Sequence, residues 1–393
     1  MNDILAGLDN KQHCAALFID LSKAFDTVNH NLLEERLTKI GLSKQAVGWF
    51  SNYLTDRSQC VKSDKICSNT LSLTKGVPQG SVLGPLLFTI YVNNVGQDLI
   101  DTNYHFYAND MVFYSFGKNP SACVFTLQIA FNLVQYRLLK LDLYLNSNKS
   151  KMMLFSRKKT KLQNSYPLIT LHGSEIERVQ SFKYLGILID ENLNFKPHVE
   201  QLLKKLRLKI GFFFRNRLCF SFKSKKRLVA ATFLPILDYG DLIYINAPDQ
   251  VLKMLDSIYH ASLRFITNCK PRTHHCELYI RVGWPALETR RLTHWYMIIY
   301  KGILRLLPSY LCEYIQPRAA GLYSLRSQES LLLSVPSIRT EAGKTAFQYS
   351  APTAWNNLQK DWKLKDLIPI GHFKRLLKGL EMRSMVCNCF MKF

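Results

Sequence analysis

The chain has 393 residues, enough for two or three domains, and a hydrophobic fraction of 47% excludes a largely disordered polymer. Lys+Arg 52 against Asp+Glu 29 leaves a formal charge of +23, which points to a polyanionic partner, nucleic acid first. Ten cysteines are too sparse for a disulfide-stapled secreted fold.

Met1 to Asn10 lacks a basic-then-apolar signal layout. No uninterrupted apolar run of about 18 residues occurs. The longest candidate, Val82 to Val92, is cut by Gly84 and Pro85. A reduced intracellular compartment and no membrane span are the expectations.

Ala15 to Ile19 is a continuous apolar run that predicts a buried strand leading into Asp20. Leu32, Leu33, Leu37 and Ile40 predict a helix that stops at Gly41. Ser43 reads as an N-cap, and Ala46, Val47, Phe50, Tyr53 and Leu54 continue the helical period. Gln59 to Leu73 reads as a hairpin. Lys75 to Gly84 reads as a Gly-rich loop, and a helix follows from Pro85 to about Val95.

Tyr104 to Phe116 is dense in aromatics with Asn109-Asp110 at its middle, the pattern of two strands and a two-residue turn. Pro120 suits a first helical position. Leu127, Phe131, Val134, Leu138, Leu141 and Leu145 then give an amphipathic helix. Met152 to Phe155 and Tyr184 to Ile189 read as strands. Strands and helices alternate without a regular βαβ spacing, so the fold class is α+β.

From about His198 the chain turns helical and basic. Lys204, Lys205, Arg207, Lys209, Arg215, Arg217, Lys223, Lys225, Lys226 and Arg227 lie between Gln201 and Leu228 with no acid among them. Such a block suits phosphate contact. Phe212, Phe213, Phe214, Phe220 and Phe222 interleave it, as bundle core or as stacking surface. Cys269, His274, His275 and Cys276 have short zinc-like spacings, as does Cys387-Asn-Cys389, but the pattern is not a standard finger. A turn in a basic segment is the alternative. Pro271 onward reads as a further, mostly helical region.

Three segments converge on one chemistry: Phe18 to Asp26, Gly76 to Pro85, and Tyr107-Ala-Asn-Asp110. A carboxylate at the end of a buried strand, beside acids on a neighbouring hairpin turn, is what two-metal phosphoryl transfer requires. Mg²⁺ favours such hard oxygen ligands.

These motifs, in this order and spacing, resemble the reverse transcriptase of non-LTR (LINE-type) retrotransposons. The resemblance covers roughly Ala15 to Asp190, and Cys269 to Cys276 and Gly283-Trp-Pro285 also look like the carboxyl-terminal part of such elements. It implies a polymerase palm over 1–192 with the fingers largely missing, since Asp20 lies so close to Met1 and no endonuclease domain precedes it. It further implies a basic, helical, thumb-like region over 193–270. Residues 271–393 form a C-terminal helical region without an assigned role.

Residue by residue, the resemblance makes Asp20 and Asp110 metal ligands, and Mg²⁺ (or Mn²⁺) the cofactor. Asn109 completes that catalytic set, and Lys149, beside Asn146 and Ser150, approaches the leaving pyrophosphate. Leu21, Phe25, Gln79 and Gly80 contact the incoming deoxynucleoside triphosphate, with Phe25 crowding the sugar 2′ position. Asp26 is a hydrogen-bond partner away from metal. Lys183 and Tyr184, within Phe182 to Gly186, grip the primer end. Lys204, Lys205, Arg207, Arg215, Arg217, Lys225, Lys226 and Arg227 face nucleic acid. The partners implied are an RNA template and a DNA primer, and the location implied is nuclear.

One departure bears on activity. The family has Ala-Asp-Asp where this chain has Ala108-Asn109-Asp110. An Asn amide offers one neutral carbonyl oxygen and none of the charge that offsets divalent ions. The reading is therefore an impaired RNA-directed DNA polymerase, with a catalytically dead nucleic-acid-binding remnant or a scaffold as alternatives. Salt-dependent binding to primer–template separates the last two.

Overall fold

A computed structural model describes residues 1–64, 66–157, 167–318 and 331–385; Cys387 and Cys389 lie outside the described residues. Two compact units are present: Lys11–Gly186, and Met1–Asn10 together with Ile187–Phe393. The sequence-based boundary at 192 falls just inside the second unit, and that at 270 falls within it.

The Lys11–Gly186 unit is built on β1 (His13–Ile19), in which every residue after His13 is buried. It is followed by β2 (Leu21–Ser22), α2 (His30–Lys39) and α3 (Lys44–Leu54); α1 belongs to the other unit. The α2 helix ends at Lys39, as Gly41 at φ 96° requires. Ser43 caps α3, its hydroxyl accepting from Ala46 N at 3.2 Å. The predicted hairpin is present as nested pairs of short strands, β3 (Ser58–Gln59) with β6 (Leu71–Ser72) and β4 (Lys62–Ser63) with β5 (Ile66–Cys67). The helix predicted from Pro85 is α4 (Gly84–Val92).

The predicted aromatic strands are β7 (Thr102–Tyr107) and β8 (Asp110–Gly117). Tyr107 pairs with Asp110, so the turn residues are Ala108 and Asn109, one position earlier than the sequence pattern placed them. Ala108 sits at φ 52°, where a Cβ costs roughly 1–2 kcal/mol. Glycine removes that strain and returns about 0.5–1 kcal/mol as lost chain entropy. Ala108→Gly is therefore expected to raise the unfolding free energy by up to about 1 kcal/mol. A urea titration reads it, and a loss of stability would count against a strained turn.

Asn119 caps α5 (Pro120–Lys140). Its Leu127, Phe131, Val134 and Leu138 are buried, and it packs on β1 and β8. This helix is long and apolar enough to cross a membrane by length and composition. A search for uninterrupted apolar runs passes over it because Gln128, Asn132 and Gln135 interrupt the sequence. The helix ends before Leu141, not at Leu145: Asp142 takes φ 54°, and Leu145 lies in β9 (Tyr144–Leu145), paired with β2.

The remaining strands are β10 (Lys151–Phe155), β11 (Leu168–Ile169), β12 (Glu175–Arg178) and β13 (Ser181–Tyr184). The main sheet has the order β11-β12-β10-β1-β8-β7, antiparallel except where β10 meets β12. Ala15, Leu17 and Ile19 point into the core shared with α5. On the opposite face Phe18 stacks on Phe182 at 4.4 Å and meets Tyr184 at 5.5 Å. The strand expected over Tyr184 to Ile189 is interrupted, because Leu185 and Gly186 both have positive φ. β13 ends before them, and β14 (Ile187–Asp190) begins after them in the other unit.

In that second unit α1 (Asn2–Asp9) packs on α13 (Glu341–Lys344). Asp190 accepts from the backbone N–H of Asn192, Asn194 and Phe195, which fixes the turn into α6 (Lys196–Arg215). α7 (Phe222–Thr232), α8 (Leu234–Asp238), α9 (Asp249–Thr267), α10 (His275–Val282), α11 (Leu287–Ile303) and α12 (Ser309–Cys312) continue it. α14 (Phe347–Trp362) and α15 (Ile370–Ser384) complete the described helices. A core around Trp295, Tyr300, Trp355 and Phe373 joins α11, α14 and α15.

Candidate active site

The β1–β8 register pairs Ile19 with Met111. Extended by one residue, it sets Asp20 opposite Asp110, so the two carboxylates meet at one end of the sheet because two antiparallel strands end there. Asp20 is held by the segment after β9. Its N–H donates to Ser150 Oγ at 3.1 Å, and its carbonyl accepts from Asn146 N at 2.9 Å. Asn146 also orders the turn, accepting from Lys149 N at 3.2 Å. Lys149 Nζ lies 4.0 Å from Asp20 Oδ2. The Asn146, Lys149 and Ser150 group is thus brought to the Asp20 backbone and carboxylate.

Partial burial, then the charge of Asp20, holds the Asp110 carboxyl above its ordinary range. Tyr184 is pushed up to about 12 by burial and by Asp110, so its phenol is a neutral neighbour of that carboxylate. A carboxyl raised on folding favours the protonated folded state. Its stabilising contribution is complete below the ordinary carboxylate range and is lost as pH rises through the raised value. Asp110→Asn is therefore expected to be more stable than the parent at pH 7 without divalent ions. The difference should vanish below about pH 4. Thermal melts across that range read it, and a destabilised variant at pH 7 would overturn the account.

The two carboxylates fit a hard divalent cation, since they supply adjacent like charges that a cation relieves. Asn109, at the turn between the strands, is partly exposed and adds a neutral oxygen.

Phe25 and the Gly76-to-Gly80 loop are stapled together. Val77 N donates to Phe25 O at 2.8 Å, Gly76 N to Val28 O at 2.7 Å, and Gln79 Nε2 to Asp26 Oδ1 at 2.8 Å. Asp26 is thereby a partner of Gln79. Gly76, at φ 96°, has no room for a side chain, because a Cβ would lie 2.9 Å from Asp26 O. The Phe25 ring packs on Phe88 at 4.8 Å. Leu21 is buried in the core, so what it presents to the site is backbone. Gly80 is exposed at φ 82°.

Sequence reasoning missed the clamp on this loop. Asp142 Oδ2 accepts from Lys75 Nζ and from Asn29 Nδ2, each at 3.0 Å. Those hydrogen bonds, Asn29 first, hold its carboxyl below the usual range. The three residues are far apart in the chain, and the positive φ that aims Asp142 has no local signature beyond Asp itself.

Among the basic residues Lys183, Lys204, Lys205, Arg207, Arg215, Arg217 and Arg227 are exposed. Lys225 does not belong with them. It is 2% exposed, donates to Asn268 Oδ1 at 2.7 Å, and lies over the Phe265 ring. Burial, then Arg217, lowers its ammonium. Lys226 is half-buried and donates to Val282 O at 2.6 Å. Lys209 is similarly taken by Thr232 O at 2.8 Å. These lysines tie helices together instead of lining a surface. The phenylalanines divide: Phe213 is buried and stacks on Phe265, while Phe212 and Phe222 are exposed.

The family model of reverse transcriptase (RNA-dependent DNA polymerase) matches residues 4–189. The chain is 28% identical over 282 residues to a probable RNA-directed DNA polymerase from transposon X-element of Drosophila melanogaster, covering 69% of this chain and 30% of that protein. It is 26% identical over 315 residues to the polymerase of mobile element jockey from Drosophila funebris, covering 75% and 33%. A telomerase of Candida tropicalis with a telomeric RNA fragment aligns at a TM-score of 0.37 and 13% identity, over 74% of this chain and 46% of that one. With its two carboxylates at the end of the antiparallel β1–β8 pair, the chain carries a reverse transcriptase domain of the α+β palm type. Its curated relatives are RNA-directed DNA polymerases of mobile elements, and it spans about 30% of the length of the X-element and jockey proteins.

Proposed function

We propose that this chain extends a DNA primer on an RNA template by nucleotidyl transfer, at a rate attenuated by Asn109. The observation that carries the reading is the adjacency of Asp20 and Asp110 beside a turn that presents Asn in place of a third carboxylate. Asp20 and Asp110 would hold Mg²⁺ or Mn²⁺. Bound there, the ion supplies Lewis-acid stabilisation of charge on the transferred phosphoryl group.

The protein's own residues do the rest. Asp20 is fixed by Ser150 and Asn146. Lys149, which is exposed, can move from Asp20 to a leaving pyrophosphate. Phe25 and the Gln79 loop, locked to each other, form the nucleotide wall. The exposed cations of α6, with Arg217 and Arg227, bind phosphates of the nucleic acid.

Primer extension with Mn²⁺ or Mg²⁺ tests this. Weak extension that disappears in Asp20→Ala is expected. Extension unaffected by Asp20→Ala would overturn it. The second reading, binding without chemistry, is favoured by the neutral Asn109. It predicts no extension but primer–template affinity that falls steeply with salt.

A further inference from the structure

The helical unit carries a second cluster of ligand-type side chains, unconnected with phosphoryl transfer. His274, His275 and Cys276 bring one ligand atom each to within 4.8 Å of one another. Three consecutive residues of a regular helix diverge around its axis. Here His274 is the N-cap of α10, with extended backbone (φ −63°, ψ 143°), and only His275 and Cys276 follow the helical spiral. That break in conformation folds the His274 ring back over the helix start, with its ring centroid 4.1 Å from that of His275.

Cys276 is 1% exposed, whereas the two imidazoles are partly exposed. The site is therefore open on its imidazole side and closed at its sulfur. On α9, His260 stacks on His275 at 5.7 Å, and its Nε2 pairs with Tyr279 Oη at 2.6 Å. The second imidazole thus has a fixed neighbour that limits its rotation. Cys269, grouped with these residues by spacing alone, is not among the three that converge.

We propose that His274, His275 and Cys276 form a binding site for a borderline-soft divalent metal ion, Zn²⁺ above all, with a fourth position open to water. A thiolate with two imidazoles is the donor set of zinc, not of magnesium. The site is accordingly chemically distinct from the carboxylate pair of the polymerase domain. His274 Nδ1 accepts from Cys276 N at 3.3 Å. Metal binding through that nitrogen replaces a long cap bond, and binding of the sulfur releases the thiol proton to solvent. The ion would then fasten the first turn of α10, which packs on α9.

Co²⁺ titration of the full chain, stripped of metal with a chelator, tests the assignment. The expected result is one Co²⁺ per chain, with a thiolate-to-cobalt charge-transfer band that stoichiometric Zn²⁺ abolishes. His275→Ala, at a partly exposed position, should weaken binding at least ten-fold with circular dichroism unchanged. Cys276→Ser should remove the band. Asp20→Ala should leave the band intact, which separates this site from the polymerase carboxylates. Absence of the band in the parent chain, or its persistence unchanged in both His275→Ala and Cys276→Ser, would overturn the proposal.

Discussion

Asn109→Asp is expected to raise primer extension in Mg²⁺ by about 10²-fold, equivalent to roughly 2.7 kcal/mol of barrier. The expectation rests on charge. Asp20 and Asp110 alone offer two formal negative charges, and Asp110 is already raised by burial and by Asp20. A third carboxylate is tolerable only with cations bound, so the gain should appear as metal-dependent activity. The same variant should be less stable than the parent without divalent ions and recover on adding them. The two readouts together distinguish a restored metal ligand from a general improvement in folding. Extension unchanged within a factor of three would mean that position 109 does not limit the reaction.

The largest structural effect is expected at Trp355. Its side chain is fully buried, stacks on Tyr300 at 5.8 Å, meets Phe373 in a tilted contact at 6.0 Å, and donates its indole N–H to Leu331 O at 2.5 Å. Trp355→Ala opens a cavity and leaves the partly buried Leu331 carbonyl short of its donor. Such a change costs about 3–5 kcal/mol, a large part of a typical domain's stability. Thermal denaturation should move down by on the order of 10 °C. Trp355→Phe keeps the stacking and should lose less than half as much. A loss below about 1 kcal/mol for the alanine variant would mean that α11, α14 and α15 do not share one core.

The strands that carry the site were legible because each is a short apolar or aromatic run ended by a turn signal. Ala15 to Ile19 and Tyr104 to Phe116 are the clearest, and the β1–β8 pairing then sets Asp20 opposite Asp110. Periodicity failed where apolar residues continue past a helix end. Leu141 and Leu143 are buried outside α5, so the spacing that predicted a helix to Leu145 reports burial, not helicity. Charge counting failed at Lys225 for a related reason. A run of cations does not reveal that Asn268 and Phe265, far along the chain, enclose one of them. The same limit hid the Arg290–Asp238 pair and the His294–Asp241 pair, each joining residues more than fifty positions apart.

The first ten residues do not belong to the unit they lead into. Asp9 is buried and accepts from Arg339 N and Thr340 Oγ1, Asn2 Oδ1 accepts from Gln348 N, and Tyr314 donates to Asp3. Residues 1–10 and 187–393 thus form one unit, which the chain leaves at Lys11 and rejoins at Ile187, so that the palm sheet is inserted between its two segments. Two covalent tethers, not one, join the units. An inserted domain of this kind is harder to cleave free than a terminal one, because a single proteolytic cut leaves the halves attached through the other tether. Within the helical unit, the segment near residue 340 holds the end of α1 through Asp9.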